Sequence, residues 1–416
     1  MKSKNNYLQS LQNVKLIIGN GFDLHCGLET KYSSYFLRNE GKINTIKNFE
    51  REVIHYQNTN VPRPYVASLY KTDIRNINFW DLLFYLESKD DEHDVKDWKW
   101  CDVKKVMYNF ICEDEYECSA FAVYKIIDGF ENNGLSQNAK VLAIYVIKRF
   151  EKDSLIDFSI DDLYSFLMDE LKLFEKNFAK YIKYTHDIID KSSCNFKTRA
   201  SITISQLCNP QNIISIESFN YDDLENKKLN SFLNHINGSL SEQPIFGIDS
   251  KNISAADVKY IFTKTCRRME NDMNSIFPHL IKEFKNIIVF GHSLNEADYS
   301  YFFSIFDKIH LSDLSNDSKI IFAFDIYNDS KAEIIKSTLR KNISVIFENY
   351  AKYLKISEPQ RLLDSMTSLG KVVMFEIEKI DWDDIKRVTS ILISKRVKNA
   401  LKFLSSSVKE TMQGYE

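Results

Sequence analysis

The sequence predicts an α/β protein in which a parallel sheet is interrupted by a mainly helical insertion. Short runs of Ile, Val and Leu occur once near the start of the chain, at Val14–Ile18, and then again only after residue 210. Between about residues 75 and 200 the apolar residues recur every three or four positions, which is typical of helices. Polar residues follow the ends of the apolar runs, as they do in buried parallel strands whose carboxyl ends carry ligand sites.

Four further runs are predicted to be strands between residues 210 and 350. They are Ile213–Ile216, Ile287–Phe290, Ile320–Ile326 and Ile343–Phe347. A strand of five residues is not stable in water without neighbours, so we expect Val14–Ile18 to pair with strands from this later region.

The predicted organisation has three parts. Residues 12–75 and 200–350 form one α/β domain, residues 76–199 form the helical insertion, and residues 351–416 form a C-terminal α/β extension. Helical spacing is clearest in the insertion, where Leu163, Leu167, Leu171 and Phe174 recur. In the extension we expect a strand at Val372–Ile377 and a basic amphipathic helix near Ile391–Phe403, which is interpreted as a packing or oligomer contact.

Composition excludes several classes of protein. The chain has 416 residues, of which 44% are hydrophobic and 27% charged, so it is expected to be globular. The first twelve residues lack the apolar core of a signal peptide, and no stretch approaches ~18 consecutive apolar residues, so we expect a cytoplasmic protein without a membrane partner. Seven cysteines without a C-x-x-C pair indicate neither a disulfide framework nor a zinc ribbon. A formal charge of −3 gives no reason to expect nucleic acid as a partner.

An unusual group of glycines follows the first predicted strand. Three of the eleven glycines in the chain, Gly19, Gly21 and Gly27, lie within nine positions. A strand followed by Gly-x-Gly and a helix lets main-chain N–H groups approach a pyrophosphate, which favours a nucleotide site. The spacing differs from the dehydrogenase fingerprint because Gly27 follows Gly21 by six positions instead of three. An ordinary strand-to-helix turn is the alternative.

Polar clusters follow the later strands as well. They are Ser218, Asn220 and Asp222; His235, Asn237 and Gly238; and Gly291, His292, Ser293 and Asp298. Each has a structural alternative: Asn220 and Asp222 could cap a turn, His235 could be a satisfied core histidine, and Ser293 could cap a helix in a capping box with Glu296. Because such clusters converge at the carboxyl edge of a doubly wound sheet, we expect Gly21, Asn220, His235 and Ser293 to line one pocket.

Two stretches resemble a known family. GNGFDLHCGLETKYSSYF and FGHSLNEADYSYF are similar to the opening and closing signatures of the AbiH abortive-infection family of bacterial anti-phage proteins. The order of motifs further resembles the Rossmann-like, sirtuin-type NAD-binding fold. Its glycine loop corresponds to Gly19-Asn20-Gly21 with Gly27, its Asn-x-Asp motif to Asn220-Tyr221-Asp222, its His-Gly motif to Asn237-Gly238, and its G-x-S-L loop to Gly291-His292-Ser293-Leu294.

The resemblance implies NAD or a close nucleotide as substrate or ligand, no metal, and cleavage of the nicotinamide glycosidic bond. It implies that Asn220 holds the nicotinamide ribose or a water molecule, with Asp222 beside it, and that Asp23 supports the glycine loop or faces the ligand. The remaining ligand-binding residues that it implies are Gly19, Asn20, Gly21, Phe22, Gly27, Thr30, Tyr32, Asn237, Gly238, Gly291, His292, Ser293 and Asp298.

One departure from the sirtuin-like pattern concerns the catalytic base. Those enzymes have a His directly before the Gly, whereas this chain has Asn237 there and His235 two positions earlier. In an extended segment both side chains would point to the same face, so His235 could substitute as the base, which an Asn cannot be. Protein deacetylation is not expected, because the four-cysteine zinc module of the deacetylases is absent.

Three hypotheses of function remain at this point. The first is an NAD hydrolase that is triggered by infection and depletes the host cofactor. The second is a non-catalytic nucleotide-binding sensor or scaffold that acts through a partner. The third, a nuclease, lacks a paired-carboxylate metal motif and a basic cluster near the glycine loop. Besides the nucleotide, the expected partners are an unidentified phage-derived trigger and, as an open alternative, further copies of the chain.

Overall fold

The computed structural model of the protein describes residues 7–56, 69–88, 103–129, 134–150, 157–192, 194–224, 227–250, 253–270, 283–313 and 315–385. Within these ranges lies a six-stranded sheet in which every strand pair is parallel. Its strands are β1 (Val14–Ile18), β2 (Ile213–Ser218), β3 (Leu233–His235), β4 (Asn286–Phe290), β5 (Lys319–Phe324) and β6 (Val372–Glu376).

The strand order is β3-β2-β1-β4-β5-β6. Strand β1 pairs with β2 on one side and with β4 on the other, which confirms the expectation that it pairs with strands from the later region. From β1 the sheet continues through β2 to β3 on one side, and from β4 it continues through β5 to β6 on the other. The strands that follow β1 and β4 in the chain therefore lie in opposite halves of the sheet. In open α/β sheets ligands bind outside the carboxyl ends of the strands at such a switch point.

The described ranges contain α-helices both beside the sheet and in the helical part. They are α1 (Asn20–His25), α2 (Tyr32–Leu37), α3 (Glu40–Tyr56), α4 (Phe79–Glu87), α5 (Val103–Cys112), α6 (Ala120–Ile127), α7 (Gln137–Arg149), α8 (Ile160–Asp190), α9 (Phe196–Leu207), α10 (Lys227–Asn230), α11 (Lys264–Glu270), α12 (Tyr299–Lys308), α13 (Ala332–Tyr353) and α14 (Pro359–Ser368).

One strand prediction was wrong. Ile343–Phe347 lies in the middle of helix α13. The buried residues of this helix include Ile343, Ile346, Phe347 and Tyr350, a helical spacing that places them on one face. A short apolar run rich in β-branched residues cannot be distinguished from a buried helix segment by its composition alone.

Three hydrophobic cores hold the fold together. Successive residues of a strand point to opposite faces, so Leu16 and Ile18 enter the core on one face of the sheet and Ile17 the core on the other. The third core lies within the helices and includes Trp80 and Phe174. Helices α2 and α3 also contribute to this helical core, and the predicted division into domains stays a prediction.

The C-terminal part of the described chain joins the same sheet. The predicted strand Val372–Ile377 is confirmed as β6, which pairs with β5 at the edge of the sheet. The predicted helix near Ile391–Phe403 lies outside the described residues.

A buried ion pair connects the helical part to the loop that follows β3. The guanidinium of Arg267 in α11 donates to both carboxylate oxygens of Glu175 in α8, at 3.0 and 2.9 Å. The main-chain N–H of Phe246 donates to the same carboxylate at 2.7 Å. Both charged side chains are almost fully buried, so each charge depends on the other.

We expect the substitution Arg267→Met to lower the free energy of unfolding by about 3 kcal/mol, because it leaves the Glu175 carboxylate buried without its counter-ion. Urea denaturation measures this change. The matched control is Arg75→Met, which breaks the fully exposed pair of Arg75 with Asp73 and should leave the unfolding curve unchanged. Equal destabilisation by the two substitutions would contradict the structural role of the buried pair.

Candidate functional site

A cavity of about 650 Å³ opens at the carboxyl edge of the sheet. Its volume lies within the range of about 300–1,000 Å³ that is usual for small-molecule sites. The loops after β1, β2, β3 and β4 line one side, and helices α5 and α8 line the other. The lining residues are Asn20, Gly21, Asp23, Leu24, Thr30, Lys31, Tyr32, Ser33, Val103, Lys104, Phe178, Ile182, Phe219, Asn220, Tyr221, Asn237, Gly291, His292, Ser293, Asn295, Asp298 and Tyr327.

The loops after β1 and β4 interlock through their glycines. The N–H of Gly19 donates to the carbonyl of Phe290 at 3.1 Å, and the N–H of Gly21 donates to the carbonyl of Gly291 at 2.7 Å. A Cβ at Gly21 would lie 2.7 Å from the Cα of Gly291, and a Cβ at Gly291 would lie 2.2 Å from the nitrogen of Phe22. Glycine is therefore required for the close packing of the two loops. The two N–H groups predicted to approach a pyrophosphate are engaged within the protein.

Gly27 has a different role. Helix α1 ends in a Schellman motif, in which the N–H of Gly27 donates to Leu24 O and the N–H of Leu28 donates to Asp23 O. Gly27 adopts a φ of +86°, which favours glycine at this position. Gly27 does not line the cavity. A glycine is found at this position because it terminates the six-residue helix α1.

Asn220 connects the loop after β2 to the loop after β1. Its side-chain amide donates to the carbonyl of Gly19 at 3.0 Å and to Asp23 Oδ1 at 2.8 Å. Its side chain is buried and lines the cavity. Asn220 therefore fixes the position of Asp23 beside the cavity.

Asp23 belongs to a buried pair of carboxyl groups. Burial raises the pKa of Asp23 well above its usual range, and the nearby charge of Asp222 and a hydrogen bond to it raise the pKa further. The Asp222 carboxylate accepts a hydrogen bond from His186 Nε2 of helix α8 at 2.5 Å. Asp23 lines the cavity and Asp222 does not, so one of these two neighbouring buried carboxyl groups lies at the cavity wall.

His235 lies outside the cavity lining, contrary to the expectation that it would share a pocket with Gly21, Asn220 and Ser293. Strand β3 ends at His235, so the segment is not extended through residue 237 and the two side chains do not share a face. The Nδ1–H of His235 donates to the carbonyl of Asn220 at 3.0 Å, and its Nε2 lies 3.2 Å from Asp223 Oδ1. It is a half-buried histidine with protein partners at both nitrogens.

Asn237 takes the place in the wall that was expected for His235. Its side-chain amide donates to Phe219 O at 3.0 Å, and the residue is buried and lines the cavity. In the described part of the chain its side-chain oxygen has no hydrogen-bond partner. A buried acceptor without a partner is costly, so this oxygen marks a position for a hydrogen-bond donor of a ligand.

A buried cluster of charges lies at the other end of the cavity. Lys104 Nζ is 2.7 Å from Asp298 Oδ2, Lys264 Nζ contacts Asp298 Oδ1, and His292 Nε2 is 3.5 Å from Asp298 Oδ2. Burial acts to raise the pKa of Asp298, but the two lysines outweigh it and hold this pKa well below its usual value. Burial, opposed by Asp298 and reinforced by Lys104, lowers the pKa of Lys264 to about 7.

Lys104 and His292 respond differently to the same carboxylate. Burial alone would lower the pKa of Lys104, but Asp298 raises it above its usual value. Burial lowers the pKa of His292 despite its hydrogen bond to Asp298. Since His292 Nδ1 accepts a hydrogen bond from the N–H of Leu294 at 2.9 Å, the neutral ring with its proton on Nε2 satisfies both contacts.

The capping role considered for Ser293 was wrong. The residue that caps the next helical turn is Asn295, whose side chain accepts a hydrogen bond from the N–H of Ala297. Ser293 instead lines the cavity next to Gly291, which has a φ of +71°.

The rest of the cavity wall is polar at one side and aromatic at the other. Thr30 Oγ1 donates to Asn20 Oδ1 at 2.6 Å. The hydroxyls of Tyr221 and Tyr32 form a hydrogen bond, and burial raises the pKa of Tyr221 well above its usual value. The ring of Phe219 packs against the ring of His292 with centroids 4.3 Å apart.

Most of the residues selected from the sequence line the cavity. Those that line it are Asn20, Gly21, Asp23, Thr30, Tyr32, Asn220, Asn237, Gly291, His292, Ser293 and Asp298. Those that do not are Gly19, Phe22, Gly27, Asp222, His235 and Gly238. Sequence reasoning missed Lys104, Phe178 and Ile182 because these residues lie in the helical part, far from any motif, and no local signal marks them.

The described ranges contain neither a metal-binding cluster nor a helix that could span a membrane. Among the residues that the structure describes, no group of three or more His, Cys, Asp or Glu side chains is placed to hold a metal ion. None of the helices in the described ranges combines the length and apolar content needed to cross a bilayer.

Comparison with known proteins identifies the family. The family model described as "Bacteriophage abortive infection AbiH" matches residues 16–323, well over half of the 416 residues. The chain belongs to the AbiH family. Membership implies an anti-phage, abortive-infection role. No curated protein and no solved structure matches the chain.

The AbiH match covers the candidate site almost completely. Every residue that lines the cavity lies within residues 16–323 except Tyr327, an exposed side chain. The helical part that supplies Lys104 and Phe178 also lies within the match. The cavity is therefore built from the AbiH region of this chain.

Proposed function

We propose that this AbiH-family protein binds NAD in the cavity and, on infection, hydrolyses its nicotinamide glycosidic bond. The observation that carries the proposal is the convergence of the loops after β1, β2, β3 and β4 on one cavity at the switch point of the sheet. The strand order 3-2-1-4-5-6, which is typical of dinucleotide-binding sheets, and the resemblance of the motif order to the sirtuin type support the assignment.

Asn237 is a test of whether the cavity fits such a ligand. Its buried side-chain oxygen requires a donor, and NAD carries donors in its ribose hydroxyls and carboxamide. The aromatic residues Phe178, Phe219 and Tyr221 add apolar surface to the same cavity. A mostly apolar pocket with a few convergent polar groups is usual for a small-molecule site.

The proposed reaction needs little machinery. The bond between the ribose C1′ and the nicotinamide nitrogen breaks, its electron pair leaves with neutral nicotinamide, and a water oxygen bonds to C1′ with release of one proton. The transition state is oxocarbenium-like, so a site has to stabilise positive charge and accept that proton. We assign both tasks to the neighbouring carboxyl groups of Asp23 and Asp222, with Asn220 holding Asp23 in place.

The test is to incubate purified protein with NAD and to follow nicotinamide release, with and without a lysate of phage-infected cells. We expect release that the infected lysate increases. Absence of nicotinamide under both conditions, together with unchanged NAD levels in infected cells that the protein protects, would reject hydrolysis.

The substitution Asn220→Ala is expected to abolish nicotinamide release and phage protection. It removes the donor to Gly19 O and to Asp23, which costs about 1–3 kcal/mol of stability, and a cooperative thermal transition measured in parallel shows whether the protein still folds. The matched control is His235→Ala, which removes a donor to the main chain of Asn220 outside the cavity. We expect His235→Ala to retain cleavage within a few-fold. Complete loss of NAD cleavage in a His235→Ala protein of normal stability would instead support His235 as the catalytic base.

A second candidate function, a non-catalytic nucleotide sensor acting through a partner, is favoured by one observation. The wall of the cavity has Asn237 where a sirtuin-like enzyme has its catalytic His, and His235 does not reach the cavity. In this case NAD or a related nucleotide binds and stabilises the fold without being consumed. Phage protection that persists in Asn220→Ala without any NAD cleavage would support the sensor.

A further inference from the structure

We propose that Lys104 is the recognition site for an anionic group, a phosphate or diphosphate, on the ligand that the cavity binds. This inference deepens the proposed function by assigning a residue to the phosphates of a nucleotide. It rests on the placement of charge in the cavity wall, and the cleavage of NAD is not needed for it to hold.

The main-chain N–H groups of Gly19 and Gly21 are not free to bind an anion. In the sequence the glycine loop is the obvious candidate, but the N–H groups of Gly19 and Gly21 already donate to Phe290 O and Gly291 O. Helix α1, which follows that loop, has only six residues. These two N–H groups therefore hold the loops after β1 and β4 together, and a charged partner for a phosphate lies in another part of the wall.

The cavity wall also carries charged side chains. Two lysines line the cavity, of which Lys31 is exposed at the rim and Lys104 has about a fifth of its side chain exposed (21%). Lys104 shares the carboxylate of Asp298 with Lys264. In the described ranges Asp298 is the only carboxylate within 4.0 Å of either ammonium group. Two largely buried lysines thus share one carboxylate.

The lysines beside Asp298 lack enough negative charge around them. Charges removed from water need a counter-charge. One carboxylate does not balance two buried lysines, and accordingly the pKa of Lys264 is lowered to about 7 while that of Lys104 is raised. His292, the other basic group on Asp298, is held neutral by burial, and the guanidinium of Arg268 lies close enough to disfavour charge on Lys264. An anion bound in the cavity would supply the missing negative charge. Of the two lysines, Lys104 is the one that lines the cavity.

The experiment measures binding of chosen probes to the full chain by calorimetric titration. The probes are ADP-ribose and pyrophosphate, which carry the anionic group, and adenosine, which does not. The variants are Lys104→Met, which removes the cation, and Lys104→Arg, which keeps it. The matched control is Lys42→Met, because Lys42 is similarly shielded and paired with the buried Asp81 but does not line the cavity.

We expect Lys104→Met to weaken binding of ADP-ribose and pyrophosphate by about 10- to 100-fold, the loss typical of a charge-assisted hydrogen bond, and to leave adenosine unaffected. Lys104→Arg should restore most of the affinity, and Lys42→Met should match the unmodified protein. Unchanged affinity for ADP-ribose in Lys104→Met, an equal loss for adenosine, or failure of the unmodified protein to bind either anionic probe overturns the inference.

The outcomes separate this inference from the proposed hydrolysis. Lys104-dependent binding of ADP-ribose without any NAD cleavage supports the anion site and rejects the hydrolase. Cleavage of NAD with the same KM in Lys104→Met supports the hydrolase and rejects the anion site. Thermal melts of each variant show whether a loss of binding reflects a loss of folding.

Discussion

Replacing Asp23 by Asn is expected to abolish NAD cleavage while the protein stays folded and becomes more stable near neutral pH. Asp23 accepts a hydrogen bond from Asn220, and burial and the neighbouring Asp222 raise the pKa of Asp23. An Asn side chain accepts from Asn220 through its oxygen and donates to Asp222 through its amide, so the hydrogen bonds are preserved. What is lost is the ability to take up or release a proton at the cavity wall.

The gain in stability follows from the raised pKa of Asp23. In the unfolded chain the carboxyl ionises near its ordinary pKa of about 3.9, whereas in the folded protein burial and Asp222 keep it protonated to higher pH. The stability that this group contributes is therefore present in full at low pH and is lost as the pH rises from the unfolded pKa toward the folded one. Asn does not ionise in either state, so the difference in favour of the variant should grow by up to about 1.4 kcal/mol per pH unit in this window.

Urea denaturation of both proteins between pH 5 and 8, together with nicotinamide release, measures the two effects. The matched control is Asp81→Asn, since Asp81 is also a buried carboxyl but pairs with Lys42 away from the cavity. We expect this control to retain cleavage and to be destabilised by the loss of its ion pair. Cleavage at the normal rate in Asp23→Asn would remove Asp23 from the mechanism, and stability curves that stay parallel over this pH range would contradict the raised pKa of Asp23.

Replacing Gly291 by Ala is expected to destabilise the fold by about 4–5 kcal/mol, a large fraction of the stability of an ordinary domain. Gly291 has a φ of +71°, and its new Cβ would lie 2.2 Å from the nitrogen of Phe22 and 2.6 Å from the carbonyl carbon of Gly21. These are backbone atoms, which cannot move aside as a flexible side chain can. The loops after β1 and β4 would have to separate, and the cavity would lose one wall.

The matched control for this prediction is Gly370→Ala. Gly370 has a similar φ of +65°, but no atom lies within 4 Å of its ideal Cβ position. Its substitution carries only the left-handed strain of about 1–2 kcal/mol. Thermal unfolding of the two variants separates the cost of left-handed backbone strain from the cost of a steric clash with the loop after β1. A similar loss of stability in both variants would show that the loops do not interlock as described.

Most of the strands could be predicted from the sequence because they are mainly apolar runs that end in polar residues, whereas β3, with the sequence LNH, lacks this signal. Val14–Ile18 and Ile287–Phe290 are of this kind, and both lie at the centre of the sheet. Ile343–Phe347 looked similar but is helical, since four apolar residues in five satisfy the burial of a strand and of a helix face equally well. Lys15, in contrast, is a charged residue inside a buried strand. Its charge does not interrupt the strand because Glu217, about 200 residues later, pairs with it in the core.

The sequence by itself determined which loops build the site and, through the motifs in them, the family to which the protein belongs. Glycine and polar residues directly after apolar runs are local patterns, and parallel strands bring such loops to one edge regardless of the details of packing. Asn220, Gly291 and Asp298 could therefore be selected without a structure.

Only the tertiary structure decided what each of these residues does. Whether His235 or Asn237 reaches the cavity depends on where β3 ends, and the role of Gly21 depends on the approach of Gly291, which is 270 residues away in the chain. Lys104 and His186 enter the site because helices α5 and α8 pack over the edge of the sheet. Such distances between side chains are set by the packing of whole elements, and no local pattern of residues records them.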